Sequence, residues 1–275
     1  MTKSDKLKKT LVYIFLAIGA FFMIFPFIWM IITSFKTGFE ANRVPPTFLP
    51  ENPTFNNYLT ALKVAPFGRY FLNSVIVTIC CVALTMFNSI LAAFSFSKLK
   101  FPGRDILFAL LISMMMIPFE MLIITNYTTI VKMKLYDTLI ALIIPFVSSI
   151  FYTYILRNFF MSVPDSLYYS AKVDGASDWQ YLWEILVPIA KPSLVTIGLL
   201  NAIACWNSFL WSILVINSQQ NRTLPFGLFA FTNETGIRYE VLMAGATILV
   251  LPMIILFLFC RKNIVTGVSK GGLKG

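Results

Sequence analysis

The sequence predicts an all-α membrane protein with six transmembrane helices and both termini in the cytoplasm. Three observations carry that expectation. Only 12% of its 275 residues are charged and 58% are hydrophobic, where a soluble domain has roughly 25% charged residues. Six long runs carry little or no charge, each about the 20 residues a helix needs to cross hydrocarbon. Lys and Arg are distributed unevenly between the segments that join these runs.

In chain order the runs are 11–33, 71–97, 106–125, 138–156, 192–218 and 241–260. Lipid supplies no hydrogen bonds, so each run must satisfy its own backbone, and that makes it helical. The first run is longer than a typical signal-peptide core and lacks a small-x-small cleavage site, so it reads as a retained helix. Placing both termini inside puts fourteen of the 22 Lys and Arg in the cytoplasm and eight outside, the sense of the positive-inside rule. The outer segments are then 34–70, 126–137 and 219–240. The first holds Pro45, Pro46, Pro50 and Pro53, which suit an extended strap. The whole chain, 1–275, reads as one transmembrane domain of a multi-pass cell-membrane protein surrounded by lipid.

Composition also removes several functions. The net charge of +10 is scattered beside apolar segments with no recognition motif, which argues against nucleic-acid binding. There is no His, and Cys80, Cys81, Cys205 and Cys260 all lie in apolar runs, so metal sites and disulfide frameworks lack material. No Gly-x-x-x-x-Gly-Lys-Ser/Thr phosphate cradle is present, and a membrane enzyme would need clustered catalytic groups that are missing. No catalytic residues, metal or cofactor are expected in this chain.

The segment 161–191 between the fourth and fifth runs is too polar to span, and far longer than an ordinary helix connection of roughly 2–8 residues. Pro164 and Asp165 fit a first helical turn, Leu167 and Ala171 share an apolar stripe, and Gly175 reads as a stop. Ser177 and Gln180 have capping-box spacing and open a second helix that should end before Pro188. The expectation is helix, tight turn, helix.

Tyr169-Ser170-Ala171-Lys172-Val173-Asp174-Gly175-Ala176, with nine residues separating Gly175 from Ile185 and Pro188 three further on, resembles the EAA loop of ATP-binding-cassette (ABC) importer permeases. Tyr169 stands where that motif begins with Glu, Ser170 replaces its first Ala, and Val187 replaces the usual Leu. The resemblance extends along the chain through Thr33-Ser34-Phe35-Lys36, Asn56-Asn57-Tyr58, Phe71-Leu72-Asn73-Ser74, Phe101-Pro102-Gly103-Arg104, Met116-Ile117-Pro118, Cys205-Trp206-Asn207-Ser208-Phe209 and Gly271 to Gly275. These are similar to signatures of carbohydrate-importer permeases typified by the six-span subunit of the maltose system, a type I ABC importer.

That resemblance implies a set of partners: a second permease subunit, two ATPase subunits that bind ATP and Mg, an extracytoplasmic solute-binding protein, and a sugar or oligosaccharide. It implies that 164–176 is a coupling helix seated in a cleft of the ATPase, transmitting its closure to the spans as alternating access. The C-terminal residues up to Lys274 and Gly275 would reach toward the ATPase. Gln219-Gln220-Asn221-Arg222 resembles the outer segment that reaches into the docked binding protein. Glu120, an acid near the middle or outer half of the third span where a charge costs on the order of 3 kcal/mol, reads either as a polar group lining the translocation path from the bundle interior or as a helix-end carboxylate that snorkels outward. Trp206 and Asn207 offer an indole face and an amide suited to a sugar, the alternative being that Trp206 serves only in helix packing. The alternative from another class is an ion-coupled secondary transporter acting without an ATPase, for which Glu120 is the single intramembrane acid available.

Overall fold

The computed structural model describes the backbone of residues 3–233 and 236–271, with side chains from 8 to 229, at 231 and from 238 to 261. Lys274 and Gly275 therefore lie outside the described residues. Among the described residues the regular structure is helical apart from one two-residue antiparallel pair, Thr232–Asn233 with Gly236–Ile237.

Three helices are long and apolar enough to cross a membrane unbroken, with spans over Lys8–Ser34, Phe67–Ser97 and Tyr239–Arg261. They belong to helices α1 (Lys3–Ser34), α2 (Phe67–Ser97) and α11 (Tyr239–Gly271). The other three predicted runs are helical but bent or interrupted, so the described residues hold three unbroken spans, or up to six if each bent pair is one span. The run 106–125 becomes α3 (Arg104–Met114) and, after an 85° bend, Phe119–Lys132, whose α-helical part is α4 (Ile123–Lys132). Pro118, which lacks an N–H and disfavours helix at the residue before it, sits at the bend. Helix continues well past residue 125, so most of the predicted outer loop 126–137 is helical.

The run 138–156 becomes α5 (Leu139–Ile143), a tight turn Ile144–Phe146 containing Pro145, and α6 (Ile150–Ser162), with a 45° bend across the break. The run 192–218 becomes α9 (Lys191–Trp206) and α10 (Leu210–Val215). Between α6 and α9 lie the two helices of the polar segment, α7 (Asp165–Val173) and α8 (Asp178–Ile189).

The chain divides into two compact units. One comprises 1–68 with 227–252, the other 69–226 with 253–275. In the first, two of the short sequence motifs meet: Asn57 Nδ2 donates to the carbonyls of Ser34 and Lys36 at 2.8 and 2.7 Å, and Ser34 Oγ lies 2.7 Å from Tyr58 Oη. The Lys36 ammonium is buried 4.4 Å from the Trp29 ring centroid. Phe67 stacks on Phe231, and Gly245 lies beneath them, where an added Cβ would come within 2.9 Å of Phe231 and Leu228.

The second unit holds two apolar cores. One joins Val77 and Cys81 of α2 to Ile130, Leu142, Trp211 and Phe226, with the Trp211 indole N–H donating to the Ala141 carbonyl at 3.0 Å. The other joins Ile90 and Phe94 of α2, Leu156 and Phe160 of α6, and Ile197 of α9 to residues of α7 and α8.

Candidate functional site

The segment 161–191 folds as helix, turn, helix, and its two tight features explain the motif. At the end of α7 the Ala176 N–H donates to the Ala171 carbonyl at 2.9 Å, and the Gly175 N–H to the Lys172 carbonyl at 3.1 Å. Those two bonds are the Schellman pattern, which requires a left-handed residue at the turn. Gly175 supplies it at φ +84. Ala171 and Ala176 form the small apolar contact that accompanies the motif, both packed in the core with α2 and α6.

The second helix starts on a complete capping box. The Gln180 N–H donates to Ser177 Oγ at 3.2 Å, and the Ser177 N–H donates to Gln180 Oε1 at 2.8 Å. The expected stop before Pro188 is corrected: the helix runs on to Ile189. Tyr181–Leu186 widens into a π-helical stretch, so Pro188 falls in the first turn of a new segment, Val187–Ile189, where its missing N–H is tolerated. An 80° bend at Ala190 then leads into α9.

The two short helices are clamped together by one carboxylate. The Tyr168 hydroxyl donates to Asp178 Oδ1 at 2.7 Å, and Lys172 Nζ lies 2.6 Å from the same atom. Lys172 and Tyr168 together hold the Asp178 carboxyl below the usual carboxylate range. Burial, and then the Asp178 carboxylate, push the Tyr168 phenol up to about 12. Because the pKa of Asp178 is depressed on folding, the stabilisation is complete above the ordinary carboxylate range and is lost as pH falls through the folded value. Protection of the Asp178–Gln180 amides, taken as the exchange rate relative to the intrinsic rate at the same pH, is expected to fall on acidification in the wild type, and to be low and much less pH-dependent over that range in Asp178→Ala. An equal pH response in the variant counts against the clamp.

The segment has two faces. Ala171, Tyr181, Leu182 and Leu186 are buried in the core, with Ile185 and Val187 packed at its edge. Leu167, Tyr169, Val173 and Trp179 are exposed, Val173 at 87%. Ser170, Asp174 and Pro188 are exposed as well. Tyr169, in the position of the motif's Glu, has Lys100 Nζ 6.0 Å from its ring centroid.

Of the three expected path residues, Glu120 and Asn207 are exposed and Trp206 is buried. Glu120 lies in the turn Phe119–Leu122 at the break, exposed on this chain, because Pro118 ends the helix that would have turned it inward. Trp206 is 3% exposed with its ring edge-on to Phe71, so it is part of the packing, while Asn207 caps α9 and is exposed. One turn and more earlier on α9, Asn201 lines a cavity of about 210 Å³ with Thr85, Ser149, Tyr152, Cys205 and Ser208. Its amide nitrogen is buried and donates no hydrogen bond, although Asn201 Oδ1 lies 3.4 Å from Cys205 Sγ. Sequence reading passed over Asn201 because one Asn in an apolar run looks like helix packing; its spacing from Cys205 and Ser208, on one helical face, is the signal that was available.

The outer segment is anchored where an extended reach was expected. Gln219–Asn221 forms one tight turn. Asp137 Oδ1 accepts from the N–H groups of Asn217 and Ser218 and from Ser218 Oγ, and Asn221 Nδ2 donates to the Asp137 carbonyl. Asn73 Nδ2 donates to the carbonyls of Gln220 and Arg222, each at 2.9 Å, and Arg69 Nε to Gln220 at 2.8 Å. The Gln219 and Gln220 side chains are left at the surface.

Comparison with known proteins agrees along the whole chain. Residues 86–270 match the family model described as binding-protein-dependent transport system inner membrane component. A putative ABC transporter permease protein, ORF2 of Caldicellulosiruptor sp., is 37% identical over 268 residues, 96% of both chains. The arabinooligosaccharides transport system permease protein AraQ of Halalkalibacterium halodurans is 30% identical over 276 residues, 99% of both. Among solved structures, a bacterial ABC transporter involved in the import of the acidic polysaccharide alginate superposes with a TM-score of 0.83 at 25% identity, over 96% of this chain and 99% of that one. The chain belongs to the binding-protein-dependent transport system inner membrane components, the permease family of ABC transporters.

Proposed function

We propose that this chain is one of two permease subunits of an ATP-driven, binding-protein-dependent importer for a sugar or oligosaccharide, with both termini in the cytoplasm. The relatives named for arabinooligosaccharide and alginate transport support the substrate class. The carrying observation for the mechanism is the two-faced segment 164–188, whose inner side is continuous with the core of α2, α6 and α9 and whose outer side exposes Leu167, Tyr169, Val173 and Trp179. An ATPase cleft that closes on the outer side displaces the inner side as well, since packed cores shift between discrete arrangements and do not deform continuously. Two ATPase subunits bind the ATP and Mg; this chain contributes only the coupling surface and part of the path.

A second permease suits helix α1, whose residues 8–24 are all exposed on this chain. The polar cavity at Asn201 provides hydroxyl and amide groups of the kind that bind sugar hydroxyls, and the surface of Gln219–Arg222 is assigned to the solute-binding protein. The reading as an ion-coupled carrier is weaker, because Glu120 sits in an exposed turn.

Reconstitution of the chain with its partner permease, ATPase and binding protein in proteoliposomes tests the reading. Uptake of labelled oligosaccharide should require both ATP and the binding protein. Uptake driven by a proton or sodium gradient without ATP overturns it. Asn201→Leu is expected to lower uptake about tenfold or more, as loss of a polar partner does in hydroxyl-recognising sites, with complex assembly unchanged.

A further inference from the structure

Lys98 follows the last residue of α2, and its side chain is 1% exposed. Its ammonium makes two bonds of 2.7 Å. One goes to the Val163 carbonyl at the end of α6, the other to Asp165 Oδ1 on the first residue of α7. Asp165 is largely exposed at 72% while Lys98 is enclosed, so a single buried cation ties the ends of three helices at the hinge where the polar segment leaves the spans. Arg157 of α6 makes a parallel link: its Nε donates to the Phe96 carbonyl at 3.0 Å, and its guanidinium lies 4.0 Å from the Phe108 ring centroid of α3. A buried ammonium cannot give up a partner without a large desolvation penalty. The ends of α2, α6 and α7 must therefore move together or not at all.

We infer that Lys98 is a positioning residue of the transport cycle, binding the coupling helix α7 to α2 so that displacement of the one is displacement of the other. This rests on the reading of 164–188 as the ATPase-coupling segment. The apolar core of the same region holds α7 and α8 against the spans as a whole; the Lys98 knot adds a directional link between the ends of α2 and α7. A hollow of about 430 Å³ lined by Lys98, Leu99, Lys100, Phe101, Tyr168 and Tyr169 lies beside it. Packing in that corner therefore leaves room for α7 to shift, and the ion pair is what prevents independent movement. Without the charge, ATPase closure moves α7 and leaves α2 behind.

The test uses the complete importer in proteoliposomes and reads sugar transported per ATP hydrolysed. In Lys98→Met, ATP hydrolysis should remain stimulated by the loaded binding protein while transport per ATP falls about tenfold, within the range typical of site-to-site coupling. Lys98→Arg should recover a large part of the ratio. Spin labels on α2 and α7 should report a fixed separation through the ATP cycle in the wild type and a changing one in Lys98→Met. An unchanged ratio with an unchanged separation overturns the inference, as does a parallel loss of transport and hydrolysis. If Lys98→Met does not assemble, Asp165→Asn, which keeps an acceptor and the bond to Val163, decides by the same ratio. A wild-type complex without ATP-dependent uptake refutes the coupling reading itself; a normal wild type with an unaffected Lys98→Met refutes only the knot.

Discussion

Gly175→Val is expected to abolish most uptake while leaving the spans folded. The residue stands at φ +84, and an added Cβ would meet nothing within 4 Å, so the penalty is conformational and not steric. The left-handed region costs an ordinary residue roughly 1–2 kcal/mol, and a β-branched residue is a true outlier there. If α7 loses its Schellman turn, Asp174 and Ala176 leave their places and the exposed side of the segment loses its shape. A penalty of about 1.4 kcal/mol is already tenfold in an equilibrium such as ATPase association. Gly175→Asn, which tolerates the left-handed conformation, should retain most uptake and association, and this contrast separates the backbone cause from any loss of the glycine as such. Pull-down of the ATPase and uptake by proteoliposomes measure both. Equal defects in the Val and Asn variants would sink the backbone explanation.

Tyr181→Ala should be the most destabilising truncation within the segment. The ring is fully buried, 5.0 Å from the Tyr168 centroid and 6.3 Å from that of Phe94 on α2. Removing such a ring from a packed core costs about 3–5 kcal/mol, here concentrated at the contact between α8 and α2. Tyr181→Phe is expected to be neutral or slightly stabilising, because the buried hydroxyl makes no hydrogen bond and an unsatisfied polar group is itself a cost. Thermal unfolding of the purified complex checks the pair; a Phe variant as damaged as the Ala variant would mean that the hydroxyl has a partner in the assembly.

Much of this was legible in the sequence. Charge-free runs locate helices because lipid leaves the backbone no other solution, and Gly175, Ser177 and Gln180 announce their turns because left-handed geometry and capping each need particular residues. The breaks were less legible. Pro26 and Pro252 lie inside continuous helices, whereas Pro118 sits at an 85° bend, and composition alone does not separate a tolerated proline from a breaking one. Trp206 and Asn201 lie on the same helix, and which of them meets packing and which a cavity depends on neighbours more than a hundred residues away, Phe71 and Thr85. Nothing in the sequence singles out Lys98 from the other cations that flank the apolar runs; its burial depends on where α6 and α7 end.

The break after Met114 sets a condition on what surrounds the chain. An 11-residue helix such as α3 is about 16 Å long, so backbone that is not helical lies well short of the far side of a hydrocarbon layer of about 30 Å. Met115 to Pro118 are exposed, Met116 at 84%; the N–H groups of Met115, Met116 and Ile117 donate to the carbonyls of Ile112, Ser113 and Met114, yet irregular backbone at membrane depth is tolerated only where protein or water covers it. That flank therefore calls for a cover of water or of a neighbouring protein in place of lipid.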